Sequence, residues 1–213
     1  MRFHPDIRGV LFDFDGTLTL PGALDFPGIK KALGCPLDEP ILEFIQQQPP
    51  HKQDPLWQVL IRHELKAAAK SRPNTGAEPC LRALKEGGIA LGIFTRNSLQ
   101  SVQKALLTFE HIDLNDFAAV ITREDSPPKP HPGGVLAAAQ AMGILPALLV
   151  VVGDFHFDII AGNRASARTI LLTNGKLPQI DEDHSCPDYV CTCFEEILQV
   201  LCRPPVFSRR LPA

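Results

Sequence analysis

The chain has 213 residues, of which 45% are hydrophobic and 21% are charged. This length and apolar content suffice to bury a core, as one domain or as one domain with a modest insertion. The formal net charge of -3 offers no basic surface for nucleic acid. The apolar runs are also shorter than the roughly 20 residues that a membrane helix needs. The N-terminal run is short, is interrupted by Asp13 and Asp15, and does not match an export signal, so we expect a cytoplasmic enzyme.

Apolar runs typical of strands alternate with helical patterns along most of the chain. In chain order, the strand-like runs are GVLFDFD, IALGIFT, FAAVIT, ALLVVVGD and RTILLT. The helical patterns between them are GAEPCLRALKEGG, NSLQSVQKALLTF and HPGGVLAAAQAMG. This alternation predicts the α/β class, with a doubly wound, Rossmann-like parallel sheet and helices on both of its faces.

The stretch after the first predicted strand departs from this alternation. Two helix-like segments, EPILEFIQQQ and DPLWQVLIRHELKAAAK, follow each other with no strand between them. The prolines and glycines that suit hinges at its edges are Pro21, Gly22, Pro27, Pro73 and Gly76. We therefore expect a small helical cap of residues 21–73, inserted after the first strand of a core domain made of residues 1–20 and 74–213.

The second helix of the expected cap carries an aromatic residue and several basic ones. These residues are Trp57, Arg62, His63 and Lys66. Positive charges on a face turned toward the site would attract an anionic substrate. A solvated helix face is the simpler explanation for any one of them.

Polar residues follow four predicted strands. They are Asp13 and Asp15 after the first strand, Thr95, Arg96 and Asn97 after the second, Lys129 in the loop after the third, and Gly153 and Asp154 after the fourth. Because ligands bind at the carboxyl ends of strands in open parallel sheets, these residues predict one shared site. Neighbouring carboxylates repel each other unless a cation neutralises them. Acids, a lysine, a hydroxyl and tight glycine turns are the groups that phosphoryl transfer uses.

In these motifs the chain resembles the haloacid dehalogenase superfamily of phosphohydrolases, near its phosphoglycolate phosphatase-like members. The D-x-D-G-T motif of that superfamily is matched by Asp13 to Thr17, and its Ser/Thr motif by Thr95. Its lysine motif is matched by Lys129, and its G-D-x-x-x-D motif by Gly153, Asp154 and Asp158. The similarity covers the chain from about Gly9 to Thr173.

The resemblance implies hydrolysis of small phosphomonoesters through an aspartyl-phosphate, with Mg2+ as cofactor. It implies that Asp13 is the nucleophile and that Asp15 is the general acid and base. The implied catalytic set is Asp13, Asp15, Thr95 and Lys129, and the implied phosphate- and substrate-binding set is Gly16, Thr95, Arg96, Asn97 and Lys129. The implied metal set is Asp13, Asp15 through its backbone carbonyl, Asp154, and Asp158 through the waters of the ion.

Several questions remain open from the sequence. A phosphomutase or phosphotransferase would use the same acids, and a non-catalytic binding protein could keep the same fold. A dehalogenase needs the nucleophilic aspartate but no Mg2+, and it leaves Asp15 without a role. The stretches DGTLTLPGALD and TRN depart from the family's DGTLxDS and Thr-Asn forms, so the ester cannot be copied from relatives. We expect a small phosphorylated metabolite as partner, no nucleic acid or membrane, and a monomer or weak dimer.

The C-terminal part of the chain is rich in possible zinc ligands. These are His184, Cys186, Cys191, Cys193 and Cys202. Their spacing does not follow the usual paired pattern of zinc ligands, and DYVCTCFEEI is typical of a short strand whose two cysteines share a face. We expect buried free thiols here, with a zinc site or disulfides as the alternatives.

Overall fold

The computed structural model describes residues 2–176 and 186–202 of the chain. Its strands there are β1 (Gly9–Phe12), β2 (Ala90–Phe94), β3 (Ala119–Ile121), β4 (Leu149–Gly153), β5 (Arg168–Leu172) and β6 (Tyr189–Cys191). Its α-helices there are α1 (Phe26–Leu33), α2 (Ile41–Gln47), α3 (Pro50–Ala68), α4 (Ala77–Glu86), α5 (Leu99–Leu106), α6 (Gly133–Met142), α7 (His156–Arg164) and α8 (Phe194–Cys202). None of these helices has the length and apolar character needed to cross a membrane.

The strands form one parallel sheet in the order β3-β2-β1-β4-β5-β6. Alternate residues of β1 point to opposite faces of this sheet. Val10 and Phe12 belong to the apolar cluster that includes residues of α4, α5 and α8, and Leu11 belongs to the cluster that includes residues of α6 and α7. Helices therefore cover both faces, and the predicted doubly wound, Rossmann-like α/β fold is confirmed.

The order of the strands reverses beside β1. From β1 the chain continues to β2 and β3 on one side, while β4, β5 and β6 extend the sheet on the other. The Asp13 amide donates to the Val152 carbonyl over 2.8 Å, so β1 and β4 end side by side. In open α/β sheets the crevice at such a reversal, outside the carboxyl ends of the strands, is where ligands bind.

The helical insertion after β1 consists of α1, α2 and α3. It has its own apolar cluster, which includes Ile29, Leu33, Ile45 and Leu60. The ends of the insertion lie together, because the Leu20 amide donates to the Arg72 carbonyl over 2.9 Å. The division into a cap of residues 21–73 and a core domain stays a prediction.

The two helices expected in this insertion are present as α2 and α3, and α1 is a third helix that was not predicted. Pro27 was among the residues that suggested a hinge, but it lies in the first turn of α1. The Gly28 amide donates to Asp25 Oδ1 over 3.0 Å, which caps the helix. Proline is tolerated in a first turn because the amides there have no partner within the helix.

The strand expected at DYVCTC ends at Cys191, two residues before the second cysteine of that pattern. Cys191 is buried, whereas Cys193 lies beyond the strand and is half-buried. Cys186 is exposed and Cys202 is half-buried, so the expectation of buried thiols was right for Cys191 and wrong for the exposed Cys186. His184 lies outside the described residues, so the alternative of a zinc site stays a prediction.

Candidate active site

Lys129 lies at the centre of the carboxyl edge of the sheet. Its Nζ donates to Asp13 Oδ1 and, over 2.6 Å, to Asp158 Oδ1. Nζ also lies 4.9 Å from the centre of the Phe94 ring. Burial lowers the pKa of Lys129, but the charges of Asp13 and Asp158 outweigh burial and leave this pKa above its usual value. The lysine is therefore a buried, permanently charged group that two carboxylates hold in place.

Three carboxylates surround this lysine. The side chains of Asp13, Asp154 and Asp158 each offer an oxygen, and these oxygens lie within 4.8 Å of one another. Within residues 2–176 and 186–202, this is the cluster of acidic, histidine or cysteine side chains that could hold a metal ion. Hard cations such as Mg2+ and Ca2+ prefer oxygen ligands of this kind.

Burial and the charges of neighbouring acids both raise the pKa values of Asp154 and Asp158. Burial, together with the charges of Asp13 and Asp158, raises the pKa of Asp154 to about 8. Burial also raises the pKa of Asp158 to about 6, although Lys129 opposes the rise. A divalent cation among these oxygens would remove the repulsion, so the residues fit such an ion.

Asp158 is held by hydrogen bonds to both of its oxygens. Its Oδ1 accepts from Lys129, and its Oδ2 accepts from the Phe155 amide over 3.1 Å. A Cβ at Gly153 would lie 2.2 Å from the Asp158 Cγ, so this carboxylate packs directly on the glycine that ends β4. These contacts fix the Asp158 carboxylate in place, which suits a residue that orients the groups beside it.

Asp15 lies apart from that cluster and accepts a hydrogen bond from the Asn97 side-chain amide. Burial raises the pKa of Asp15 to about 7, and the charges of Asp13 and Glu64 contribute to the rise. A carboxyl group with such a pKa exchanges a proton readily near neutrality. The structure thus places the two carboxylates of the first motif in different environments.

Thr95 ends β2 as a buried residue, and its hydroxyl oxygen accepts from the Asn97 backbone amide over 3.1 Å. The resemblance implied that Asn97 binds phosphate, and its backbone amide is one group that could do so. In the structure it is paired with Thr95, and the hydroxyl hydrogen of Thr95 is the group left to donate.

The loop after β1 is shaped by Gly16. Its φ of +80° is a conformation that glycine adopts without strain, and a Cβ there would lie 2.2 Å from Asp154 Oδ2. The side chain of Asn174 donates to the Gly16 carbonyl over 2.8 Å, and the side chain of Asn74 donates to the Thr17 carbonyl over 2.8 Å. The sequence reasoning missed both asparagines, although Asn174 shortly follows the fifth strand and could have been found by the same strand-end criterion.

Arg96 is directed toward the helical insertion. Its Nη2 donates to Glu43 Oε2 of α2 over 2.6 Å, and its Nη1 donates to the backbone carbonyl of Lys129. The guanidinium also lies 5.4 Å from the centre of the Phe157 ring. Arg96 therefore connects α2, the lysine loop and α7, and its side chain does not join the carboxylate cluster in this arrangement.

A second contact between the helical insertion and the sheet domain involves Glu64 of α3. Its carboxylate accepts from Arg123 Nη1 and, over 3.4 Å each, from the hydroxyls of Ser98 and Ser101. Trp57 of the same helix lies against Arg123, with its ring centre 5.3 Å from the guanidinium carbon. The sequence reasoning missed Glu64 and Arg123.

One signal could have identified Glu64. Leu60, Glu64 and Ala68 are buried at a spacing of four residues on α3, so an acid occupies the apolar face of the helix. By contrast, Arg62 and Lys66, which the sequence suggested as substrate contacts, are exposed, and His63 is half-buried.

Comparison with known proteins agrees with the resemblance that the motifs indicated. The family model described as "Haloacid dehalogenase-like hydrolase" matches residues 22–172. This span includes Thr95, Lys129, Asp154 and Asp158 but begins after Asp13.

Individual relatives extend this match. An uncharacterized hydrolase of Saccharomyces cerevisiae is 35% identical over 172 residues, which cover 79% of this chain and 78% of the relative. The phosphoglycolate phosphatase of Haemophilus influenzae is 31% identical over 134 residues, which cover 62% of this chain and 58% of the relative. The chain is also similar to the crystal structure of a mutant of CbbY from Rhodobacter sphaeroides in complex with xylulose-(1,5)bisphosphate. The TM-score is 0.73 at 21% identity, and the match covers 92% of this chain and 100% of that one. At this identity the similarity supports the fold alone.

Proposed function

Because the chain belongs to the haloacid dehalogenase-like hydrolases, we propose that it is a Mg2+-dependent phosphatase of small phosphomonoesters that works through an aspartyl-phosphate. The observation that carries the proposal is the double contact of Lys129 with Asp13 and Asp158, beside Asp154, at the reversal of strand order. A buried ammonium among three acids is suited to hold a phosphoryl group next to a carboxylate nucleophile.

The carboxylates of Asp13 and Asp154 and the backbone carbonyl of Asp15 are the groups that we propose hold Mg2+. When bound, the ion neutralises the charge of the phosphate so that an anionic nucleophile can approach it. Asp158, whose oxygens already accept from Lys129 and Phe155, would orient the waters of the ion.

In the first step, a carboxylate oxygen of Asp13 forms a bond to phosphorus while the bond from phosphorus to the ester oxygen breaks. Asp15, as the carboxylic acid, gives its proton to the departing oxygen. In the metal-free protein, burial and the charge of Asp13 raise its pKa to about 7, so the acid form is available near neutrality. The Thr95 hydroxyl and the Gly16 amide would donate hydrogen bonds to the phosphoryl oxygens.

In the second step, water attacks the phosphorus of the aspartyl-phosphate. Asp15, now a carboxylate, takes a proton from this water, and the bond from phosphorus to the Asp13 oxygen breaks. Inorganic phosphate leaves, and both aspartates return to their initial states. Lys129 remains charged throughout and stabilises the negative charge that develops on the phosphoryl group.

Release of inorganic phosphate from a panel of phosphomonoesters, with Mg2+ or with a chelator, tests this proposal. We expect turnover that depends on Mg2+ and that is lost in Asp13→Asn, which serves as the matched inactive control. Full activity in chelator, or no release from any ester, would contradict the proposal. Transfer of phosphate to an added sugar instead of water would identify a phosphotransferase.

The expected partner, location and oligomeric state of the protein are part of the same proposal. We propose a small phosphorylated metabolite as its partner, the cytoplasm as its location, and a monomer or weak dimer as its state. Light scattering on a sizing column would measure the last of these, and a stable higher oligomer would contradict it.

A further inference from the structure

The backbone of Asn97 is fixed just after the end of β2. Its amide donates to the Thr95 hydroxyl oxygen over 3.1 Å, and its carbonyl accepts from the Arg123 amide over 3.2 Å. Asn97 is 8% exposed. Arg123 is itself held, because its side chain donates to Glu64 of α3. Since the backbone amide and carbonyl of Asn97 are both paired, its side-chain amide is the group that can act on the site.

The side chain of Asn97 is directed at Asp15. Its Nδ2 donates to Asp15 Oδ2, a contact between residues that are 82 positions apart in the chain. An ionised carboxylate accepts such a hydrogen bond through either oxygen, and a neutral carboxylic acid accepts it through the oxygen that carries no proton. An asparagine amide can therefore hold Asp15 in both of the protonation states that a general acid and base must adopt. The oxygen left to carry the proton is Oδ1.

The same contact separates Asp15 from the other acids of the site. Lys129 donates to Asp13 and Asp158, and Asp154 completes the group of carboxylates that could hold a metal ion. The Asp15 side chain is bound instead to the residue beyond the end of β2. A carboxylate that binds a metal ion must be deprotonated, so it is lost as a proton donor. The hydrogen bond from Asn97 thus keeps the Asp15 side chain available for proton transfer.

We propose that Asn97 is a positioning residue for Asp15, which it holds through Oδ2 so that Oδ1 faces the leaving-group oxygen. The proposal rests on the phosphatase function proposed above. In the first step the proton on Oδ1 passes to the departing oxygen as the bond from that oxygen to phosphorus breaks. In the second step Oδ1 takes a proton from the attacking water. Asn97 neither gives nor receives a proton, and this role differs from the phosphate contact that the resemblance implied for it.

The experiment compares phenyl phosphate with 4-nitrophenyl phosphate, using the full chain with Mg2+. The two esters are similar in shape, but phenolate is the poorer leaving group and depends more on protonation. Asn97→Ala removes the donor and lets the Asp15 carboxyl group turn. We therefore expect kcat on phenyl phosphate to fall by about tenfold to 100-fold, and kcat on 4-nitrophenyl phosphate to fall severalfold less.

A double variant separates positioning from substrate contact. In Asp15→Ala no carboxyl group remains for Asn97 to hold. Adding Asn97→Ala should then leave kcat and KM for both esters within about twofold of the values for Asp15→Ala alone. A contact between Asn97 and the phosphate would persist in Asp15→Ala, and its loss would raise KM.

Two further variants control for packing and for changes at the surface. Asn97→Leu keeps a side chain of similar volume but has no donor, so it should show the same dependence on the leaving group as Asn97→Ala. Asn115→Ala, at an exposed position in the turn before β3, should leave both rates unchanged. Thermal unfolding of each variant verifies that it is folded.

The outcomes distinguish the positioning role from the phosphatase function. Equal losses on the two esters in Asn97→Ala, or a normal phenyl phosphate rate in Asn97→Leu, overturn the positioning role and leave the phosphatase function intact. A higher KM in the double variant than in Asp15→Ala does the same. Absence of phosphate release from every ester by the unsubstituted chain overturns the proposed function, and the assignment of Asn97 with it.

Discussion

Lys129 Nζ lies 2.6 Å from Asp158 Oδ1, and both side chains are almost fully buried. Burial of either charge alone would be strongly unfavourable, so each compensates for the other. Asp13 accepts from the same ammonium group. The position of Asp13 at the end of β1 therefore depends on Lys129, from the loop after β3, and through it on Asp158 of α7.

We predict that removing the lysine charge destabilises the metal-free protein more than removing its partner. Lys129→Met leaves two acids without their cation and should lower the free energy of unfolding by about 3–5 kcal/mol. Asp158→Asn should have a smaller effect, because Asp13 still balances the lysine. Urea denaturation of both variants and of the double variant, in chelator, completes a double-mutant cycle. Simple additivity of the two losses would contradict the coupling.

The raised pKa values predict how stability depends on pH without metal. In an unfolded chain these aspartates ionise near pH 4. In the folded protein the pKa values of Asp154, Asp15 and Asp158 are about 8, about 7 and about 6, so the folded state binds more protons in between. Their contribution to the free energy of unfolding should therefore fall as the pH rises from about 4 to about 8. The contribution of Lys129, whose pKa is raised, stays constant over this range.

Added Mg2+ should reverse this trend, because the ion binds the deprotonated carboxylates. The rise in Tm that Mg2+ produces should thus increase with pH over the same range, as thermal unfolding with and without chelator would measure. Asp154→Asn, which removes one titrating group and one proposed ligand, is the control and should flatten both curves. A Mg2+ effect that is independent of pH would show that these acids do not bind the ion.

Two glycines provide a matched test of the loop after β1. Gly16 and Gly22 both have positive φ values, +80° and +93°. An alanine at either position should cost about 1–2 kcal/mol in backbone strain. A Cβ at Gly16 would lie 2.2 Å from Asp154 Oδ2, whereas a Cβ at Gly22 would have no atom within 4 Å.

We predict that Gly16→Ala lowers kcat/KM by about 100-fold or more, because Asp154 must move. Gly22→Ala should lose only the stability that backbone strain costs, and it should keep its activity. Turnover and thermal unfolding of the two variants are the measurements. Equal activity in both would mean that the position of Asp154 is not critical.

The sheet and the polar ends of its strands could be predicted because both depend on local patterns. Apolar runs such as GVLF and LVVVG are buried on both sides and end where polar residues begin. Since parallel strands end at one edge, Asp13, Lys129 and Asp154 were expected to meet, and their oxygens and nitrogen do.

The contacts between the insertion and the sheet domain could not be predicted in the same way. Arg96 and Glu43 are 53 residues apart, and Arg123 and Glu64 are 59 residues apart. Their pairing depends on how the insertion packs over the sheet, and no local periodicity contains that information. Helix α1 was missed for a different reason, because proline and glycine occur both in hinges and in the first turns of helices.

The central claim is that the two carboxylates of the first motif have different roles. Asp13 is proposed to bind both Mg2+ and phosphorus through its side chain, whereas Asp15 is proposed to touch the ion only through its backbone carbonyl. Asp13→Asn should therefore weaken Mg2+ binding and abolish turnover. Asp15→Ala should keep Mg2+ binding and lose about 10² to 10⁴ in rate on an alkyl phosphate, the usual contribution of general acid–base catalysis. The loss should be smaller on an aryl phosphate, whose leaving group needs less protonation.

Calorimetric titration of Mg2+ into both variants, with turnover of an alkyl and an aryl phosphate, is the most direct measurement. The proposed mechanism predicts near-normal Mg2+ affinity in Asp15→Ala and a larger rate loss for the alkyl ester. Loss of Mg2+ binding in Asp15→Ala as complete as in Asp13→Asn, or equal slowing of both esters, would contradict it.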